Sequence, residues 1–452
     1  MEQEKTASVE GMLQTLLEKK RYTALRDILS TMNAADIGGA FEIIPENLRP
    51  ILFRLLPKEL AAEAFVEMDP DLQQTLIAGL SDNELHDVVD ELFVDDAADL
   101  VEEMPANVVS RILAQADPEK RRMINEILNY PEDSAGSIMT TEYVSLRPEL
   151  SVEEAIRRIR QVGVDKETIN TCYVVDATRC LIGALTIRGL ILAKEDAKLG
   201  DLMNSNVISV TTVEDQESVA SKLAKYDLNA IPVVDGENRL VGIVTIDDAV
   251  DVLVEEATED IEKMAAITPS DKPYMKTPVL EIWCKRIPWL LLLMISATFT
   301  GMIITKFEDA LASVVVLTAY IPMLMDTGGN SGSQASVSII RSLSLNEVEF
   351  KDILRVVWKE FRVAILCGIS LAAVGFLKLM FLDRAGLNVA LVVSITLLIT
   401  VLAAKIIGST LPLLAKKIGF DPAVCASPFI TTIVDALSLL IYFSIATGML
   451  GL

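Results

Sequence analysis

Hydrophobic positions follow two different patterns along this chain. Up to about residue 271 they recur in short runs, at helical or alternating spacing, between polar residues. Beyond it they merge into stretches long enough to cross a bilayer: Pro288–Ile304, Leu311–Met325, Val363–Phe381, Val389–Leu414 and Phe429–Leu450. The second is short unless it continues through 328–340, across a Gly-rich polar break. The pattern predicts an all-α membrane domain of five spans over residues 279–452. Basic residues flank the spans at Lys285 and Arg286, at Arg341, Lys351, Arg355, Lys359 and Arg362, and at Lys416 and Lys417. By the positive-inside rule these loops are cytoplasmic, while Glu308/Asp309 and Asp383/Arg384 lie outside. The N-terminal domains are then cytoplasmic and the C-terminus is outside.

The first part has its own punctuation. Between residues 40 and 130, breakers fall every 11–13 residues (Pro45, Pro57, Pro70, Ser81, Val94-Asp95, Pro105, Pro118), with apolar positions at helical period between them. That spacing predicts short stacked helices, a solenoid-like N-terminal α-helical domain over 1–135. Residues 136–254 hold a duplication: Tyr173-Val174-Val175-Asp176 and Leu181-Ile182-Gly183-Ala184-Leu185-Thr186 recur 59 residues later as Pro232-Val233-Val234-Asp235 and Leu240-Val241-Gly242-Ile243-Val244-Thr245. Strand, helix, strand, tight turn, strand, helix is spelled twice, an α/β unit in tandem. From Asp247 an acid-loaded helical stretch leads into a connecting helix and linker at 255–278, broken by Pro269, Pro273 and Pro278.

Charge sharpens this division. Residues 1–271 carry 53 Asp/Glu against 25 Lys/Arg, whereas residues 272–452 carry 11 against 15. The acidic part repels nucleic acid and attracts cations. Met1-Glu2-Gln3-Glu4-Lys5 has no apolar secretory core, so the acidic part is expected in the cytoplasm, with the chain in the plasma membrane. Five scattered cysteines without a C-x-x-C pair fit a reducing compartment, and a single histidine, His86, argues against a zinc or copper site. Any metal here is expected to bind through oxygen.

One charge stands out in the membrane part. Asp435 sits alone in the final apolar stretch, where an ionised side chain costs roughly 2.5–3.5 kcal/mol on insertion scales and so faces water or a partner. The second span ends in Asp326-Thr327-Gly328-Gly329-Asn330-Ser331-Gly332-Ser333-Gln334, read as non-helical backbone against protein or water. Its small residues allow close helix approach or room for a hydrated ion. No Gly-Lys-Ser/Thr follows, so it is not a phosphate cradle.

The duplicated unit resembles a tandem pair of CBS domains, carried by the hydrophobic-Gly-x-x-Thr turn. In nucleotide-binding pairs that turn and the next helix supply Thr and Asp, which here matches Thr245 and Asp248; the first copy has Arg188-Gly189 instead, so the resemblance implies at most one ATP site. The order of domains, with Gly-Gly-Asn-Ser-Gly-Ser-Gln at 328–334, Asp421-Pro422-Ala423 and Thr432-Ile433-Val434-Asp435, resembles the MgtE family of magnesium channels and transporters. Asp326 is not part of that family's expected pattern. The resemblance implies a homodimer with the pore on its twofold axis, lined by the second and fifth spans. Asp435 and its mate would flank a hydrated Mg²⁺, with Asn330, Gln334 and Ser427 bonding its water and Asp421 at the inner mouth. It also implies closure by cytoplasmic Mg²⁺ at Glu63, Asp95, Asp99, Glu217, Asp227, Asp248, Asp251, Glu256, Glu259 and Asp260. Spacings of three and four put Asp95 with Asp99, and Asp248 with Asp251, on one helix face.

Two other readings stay open: a carrier for other hard divalents such as Mn²⁺ or Co²⁺, or a cation exchanger, and a membrane enzyme under CBS control. The enzyme reading lacks a Ser/His/Asp set, a histidine metal site and a nucleotide-hydrolysis loop.

Overall fold

Helices of about ten residues are too short to persist alone in water, so the N-terminal segment must hold its helices by packing. In the computed structural model, which describes residues 12, 13, 15, 16, 19–270, 272, 274–425 and 427–451, nine such helices run from Tyr22–Leu29 to Pro118–Ile127. The breakers start them as predicted. Pro57 and Pro105 are N-caps, Pro70 and Pro118 take first-turn positions, and Ser81 closes a capping box with Glu84. Alternate helices pack on one another, Lys58–Val66 on Asp82–Glu91 and Asp82–Glu91 on Ala106–Gln115, which is solenoid connectivity. Phe41, Phe53 and Phe65 run through their core edge to face. His86 Nδ1 donates to the Gln115 carbonyl at 2.7 Å, a structural role.

The tandem unit folds as read. β1 (Ser145–Leu146) pairs parallel with β2 (Thr171–Val175), which pairs antiparallel with β3 (Leu181–Thr186). β4 (Val210–Thr211), β5 (Ala230–Val234) and β6 (Leu240–Thr245) repeat that order 59 residues on, from Thr171 to Ala230 and from Leu181 to Leu240. The acidic stretch is one helix, Ile246–Met264, starting directly at the end of β6. The chain clusters into two compact units, residues 1–253 and 254–452.

In the second unit the helices Val279–Lys306, Phe350–Phe381, Leu387–Lys417 and Pro428–Leu450 are long and apolar enough to cross a membrane. The second predicted span is corrected. Leu311–Met325 is not one helix: Glu308–Ser313 and a 3₁₀ segment, Val315–Tyr320, precede a helix at Ile321–Ser344. That helix runs unbroken through Gly328, Gly329 and Gly332, where the sequence suggested non-helical backbone. It holds because the glycines lie against neighbours: Gly328 beside Thr400, Val434 and Ser438, Gly329 beside Thr431, and Gly332 beside Ile430 and the Ala404 carbonyl. Packing outweighs the roughly 1 kcal/mol that each helical glycine costs against alanine. Its polarity keeps it from matching the other four as a span, although 24 residues reach about 36 Å.

The closest approach is between Gly332 and Gly408, where a Cβ on Gly408 would run into the Gly332 carbonyl oxygen. Gly408→Ala is therefore expected to destabilise the membrane domain by about 1–3 kcal/mol, the usual range for overpacking, measurable as a lower melting midpoint in detergent. Gly301, with nothing near its added Cβ, is the control and should accept alanine unchanged.

Candidate functional site

The Ile321–Ser344 helix has two faces. Gly328, Ser331, Gly332 and Ala335 are buried, whereas Asp326, Asn330 and Gln334, spaced by four, are exposed in one polar stripe. Asn330 Nδ2 donates to Asp326 Oδ1 at 3.0 Å. The glycine seam sets this helix against Ser427–Leu450 so that Asp435 lies near the stripe, half-buried, with Oδ1 occluded and without a hydrogen-bond partner. Asp326 and Asp435 are near enough for their charges to repel. The side chain of Ser427 lies outside the described residues.

Asp421 Oδ1 accepts the Ala423 N–H at 2.8 Å, and its Oδ2 lies 2.7 Å from Lys263 Nζ. Lys263 also reaches Glu259 Oε1 at 2.6 Å. Burial opposes that ammonium's charge, but hydrogen bonds to Asp421 and Glu259 outweigh it and hold the group above its usual range. Sequence reasoning missed Lys263 and Lys405. Glu259 and Lys263 do carry the i,i+4 signal, and Lys405, buried in the Leu387–Lys417 helix, is a single base inside an apolar run.

The acidic unit concentrates charge at one place. Asp95 and Asp99, on the Val94–Glu103 helix, come together with Asp248, and with Asp96, Glu142 and Glu167, which sequence reasoning did not single out. Asp95 is buried, and its Oδ1 is occluded without a hydrogen-bond partner. Burial, then the neighbouring charges of Asp96 and Asp248, push its carboxyl well above the usual range. Burial with Asp248 raises Asp96 to about 6, and burial with Asp248 and Asp247 raises Glu167 to about 8. Asp99 keeps an accessible side chain, yet the surrounding protein and Asp96 raise it to about 7. Glu142 Oε2 accepts from Thr140 Oγ1 at 2.7 Å and from the Val94 N–H at 3.3 Å, tying the two domains beside the cluster.

These shifts have a sign. Acids whose folded pKa is raised favour the folded contact while protonated, and that contribution is lost as pH rises through the folded values. Without divalent cations, amide protection over 94–103 and 246–253, taken relative to the intrinsic exchange rate at each pH, is expected to fall between about pH 4 and 8 and to recover when Mg²⁺ is added at the upper end. Protection that does not change with pH would contradict the repulsion.

Of the remaining predicted acids, Asp251, exposed, adds its charge to Asp248 one turn earlier on the same helix. Glu63 is exposed, Glu256 and Asp260 are partly buried, and Glu217 and Asp227 stand at opposite ends of one helix, Gln216–Tyr226. Among the described residues no three metal ligands form a ready cage. Carboxylates here suit a hydrated hard dication, which Mg²⁺ is. Thr245 Oγ1 donates to Asp248 Oδ2, so the pair proposed for a nucleotide is spatially joined, but amid the acids just described. A cleft of about 270 Å³, lined by Tyr173, Thr186, Asn206, Asp227 and Pro232, lies between the two copies.

Residues 321–445 match a family described as a divalent cation transporter, MgtE; residues 11–133 match the MgtE intracellular N domain, and 135–196 and 199–255 match CBS domains. The chain is similar to the magnesium transporter MgtE of Thermus thermophilus, 37% identical over 96% of this chain and 97% of that one. It is 34% identical to the one of Bacillus subtilis, over 96% and 95%. Among solved structures it resembles the cytosolic domain of the Mg²⁺ channel MgtE in complex with ATP (37% identity, TM-score 0.52, 54% of this chain and 99% of that one). It also resembles the soluble part of a magnesium transporter (30% identity, TM-score 0.52, 56% and 99%).

Proposed function

Since the chain belongs to the MgtE family, whose members are named magnesium transporters, we propose that it is a homodimeric Mg²⁺ channel of the plasma membrane that cytoplasmic Mg²⁺ closes. It acts as a conduit and not as an enzyme. The acidic domains lie inside and the C-terminus outside, as the basic loops at Arg341–Arg362 and Lys416/Lys417 favour.

The observation that carries the pore is the occluded oxygen of Asp435, unpartnered among the described residues, beside the exposed polar stripe of Asp326, Asn330 and Gln334. A carboxylate at membrane depth needs a wet path or a counter-ion. A second protomer across the stripe of Asp326, Asn330 and Gln334 would close such a path around a hydrated cation. Mg²⁺ gives up its water reluctantly, so amide and carboxylate groups reading its first shell suit it better than stripping it. Asp421 would stand at the inner mouth.

The gate follows from the crowded acids. Asp95, Asp96, Asp99, Asp248, Glu142 and Glu167 repel when ionised, so the packed arrangement is costly until dications neutralise it. Ions that fit only the packed form shift the population towards it. In this reading Asp251 extends the cluster beside Asp248, and Glu63, Glu217, Asp227, Glu256 and Asp260 join it in the assembled dimer. ATP binding is proposed from the relative's complex. At Thr245 and Asp248 its phosphates would need an accompanying dication against the acids, whereas the cleft at Tyr173 and Asn206 holds fewer charges.

Ion-substitution currents test the selectivity: Mg²⁺ alone should carry current without a proton gradient, and preferred Mn²⁺ or Co²⁺ conduction or strict proton coupling would favour the carrier reading instead.

A further inference from the structure

The family resemblance gives Mg²⁺ two acids here, Glu259 in the gate and Asp421 at the inner mouth of the pore, yet a positive charge of the chain's own already lies between them. Lys263 Nζ is 2.6 Å from Glu259 Oε1 and 2.7 Å from Asp421 Oδ2, with all three side chains partly shielded. We propose that Lys263 is a built-in latch, whose ammonium fastens the end of the Ile246–Met264 helix to the loop before the Ser427–Leu450 helix when no metal is bound, and with which a divalent cation must compete for the same oxygens.

The surroundings fit a fastening point. Glu259 precedes Lys263 by four residues, the favourable order for a helical pair, so the ammonium is already oriented when it meets Asp421. Lys263 lies in the last turn, where the helix dipole favours a cation. The next residue, Met264, packs on Ile340 and Ala423, an apolar contact beside the ionic one. The chain beyond is tied down as well: the Ser270 N–H donates to Glu262 Oε2 at 2.9 Å, and Lys285 Nζ donates to the Pro269 carbonyl at 2.7 Å. Asp421 Oδ1 is engaged by the Ala423 N–H, so only Oδ2 is offered across the gap.

The oxygens present fit a hard dication, but Nζ holds the position between them. Two consequences follow from the chemistry of exchange. Without divalent cations the helix end stays attached, so low Mg²⁺ loosens the acidic domains before it loosens this contact. Mg²⁺ entering here must displace or share with an ammonium, which raises the concentration needed to occupy this site.

The inference rests on the gate reading for its second consequence, and one experiment separates the two. Hydrogen exchange over residues 255–266 is measured on the full-length protein in nanodiscs, with EDTA and with millimolar Mg²⁺, for the wild type, Lys263→Gln and Lys263→Arg. In EDTA, Lys263→Gln is expected to exchange about tenfold faster than wild type, while Lys263→Arg, which keeps the charge, stays protected. Added Mg²⁺ should restore Lys263→Gln at a lower concentration than wild type requires to change. If Lys263→Gln is as protected as wild type in EDTA, the latch is overturned even where Mg²⁺ still protects both. If Lys263→Gln loosens but Mg²⁺ moves neither protein, the latch stands and regulatory binding at Glu259 and Asp421 falls.

Discussion

Replacing Asp435 by alanine is expected to reduce Mg²⁺ flux more than tenfold and to erode the preference for dications over monovalent ions. A dication about 5 Å from one carboxylate is held by about 1.7 kcal/mol in bulk water and by about 6.6 kcal/mol at an effective dielectric of 20. Even the lower figure exceeds the 1.4 kcal/mol that corresponds to a factor of ten in occupancy. Asp435→Asn keeps the volume and removes the charge, so it should lose nearly as much; if it conducts normally, the carboxylate is not an ion ligand. Asp326→Asn should cost less, a few fold, since its exposed carboxylate already shares a hydrogen bond with Asn330. Radiometric or fluorescent uptake into proteoliposomes at matched protein density reads all three.

Deleting residues 1–270 should leave a membrane domain that conducts and no longer closes when Mg²⁺ rises on the cytoplasmic side. Each pair of ionised carboxylates about 5 Å apart repels by roughly 3 kcal/mol at an effective dielectric of 20, and the cluster around Asp95 and Asp248 holds several such groups. Its removal takes away both that spring and the sites whose filling opposes it. A milder version, Asp95→Asn with Asp248→Asn, lowers the repulsion without deleting the domain and should close the channel at lower Mg²⁺. Closure of the truncated protein at millimolar Mg²⁺ would place the sensor in the membrane part.

How far these features were visible beforehand depended on the range of the interactions behind them. Breakers and caps act within a few residues, and Pro57, Ser81 and Pro118 start helices where the breaker spacing predicts them. The duplication was equally legible, since β2 and β5 align at the offset read from the letters. The second span is hidden in the sequence because local polarity and five glycine and serine positions between 328 and 333 argue against a helix, whereas contacts with Thr400, Thr431 and Val434, distant in sequence, stabilise one. The acidic cluster was half legible. Asp95, Asp99 and Asp248 came from the family resemblance, but Asp96, Glu142 and Glu167 join only because the fold brings the Val94–Glu103 helix against the tandem unit. Lys263 escaped for another reason: reading acids as a metal set leaves no place for a cation supplied by the chain itself.

The most direct measurement is a Mg²⁺ titration on the cytoplasmic face of inside-out patches carrying the full-length protein, with and without ATP. Current that falls steeply as cytoplasmic Mg²⁺ enters the millimolar range, and recovers on chelation, is the predicted result. Current unaffected by cytoplasmic Mg²⁺, or carried only with a proton gradient, would contradict a channel that its own ion shuts.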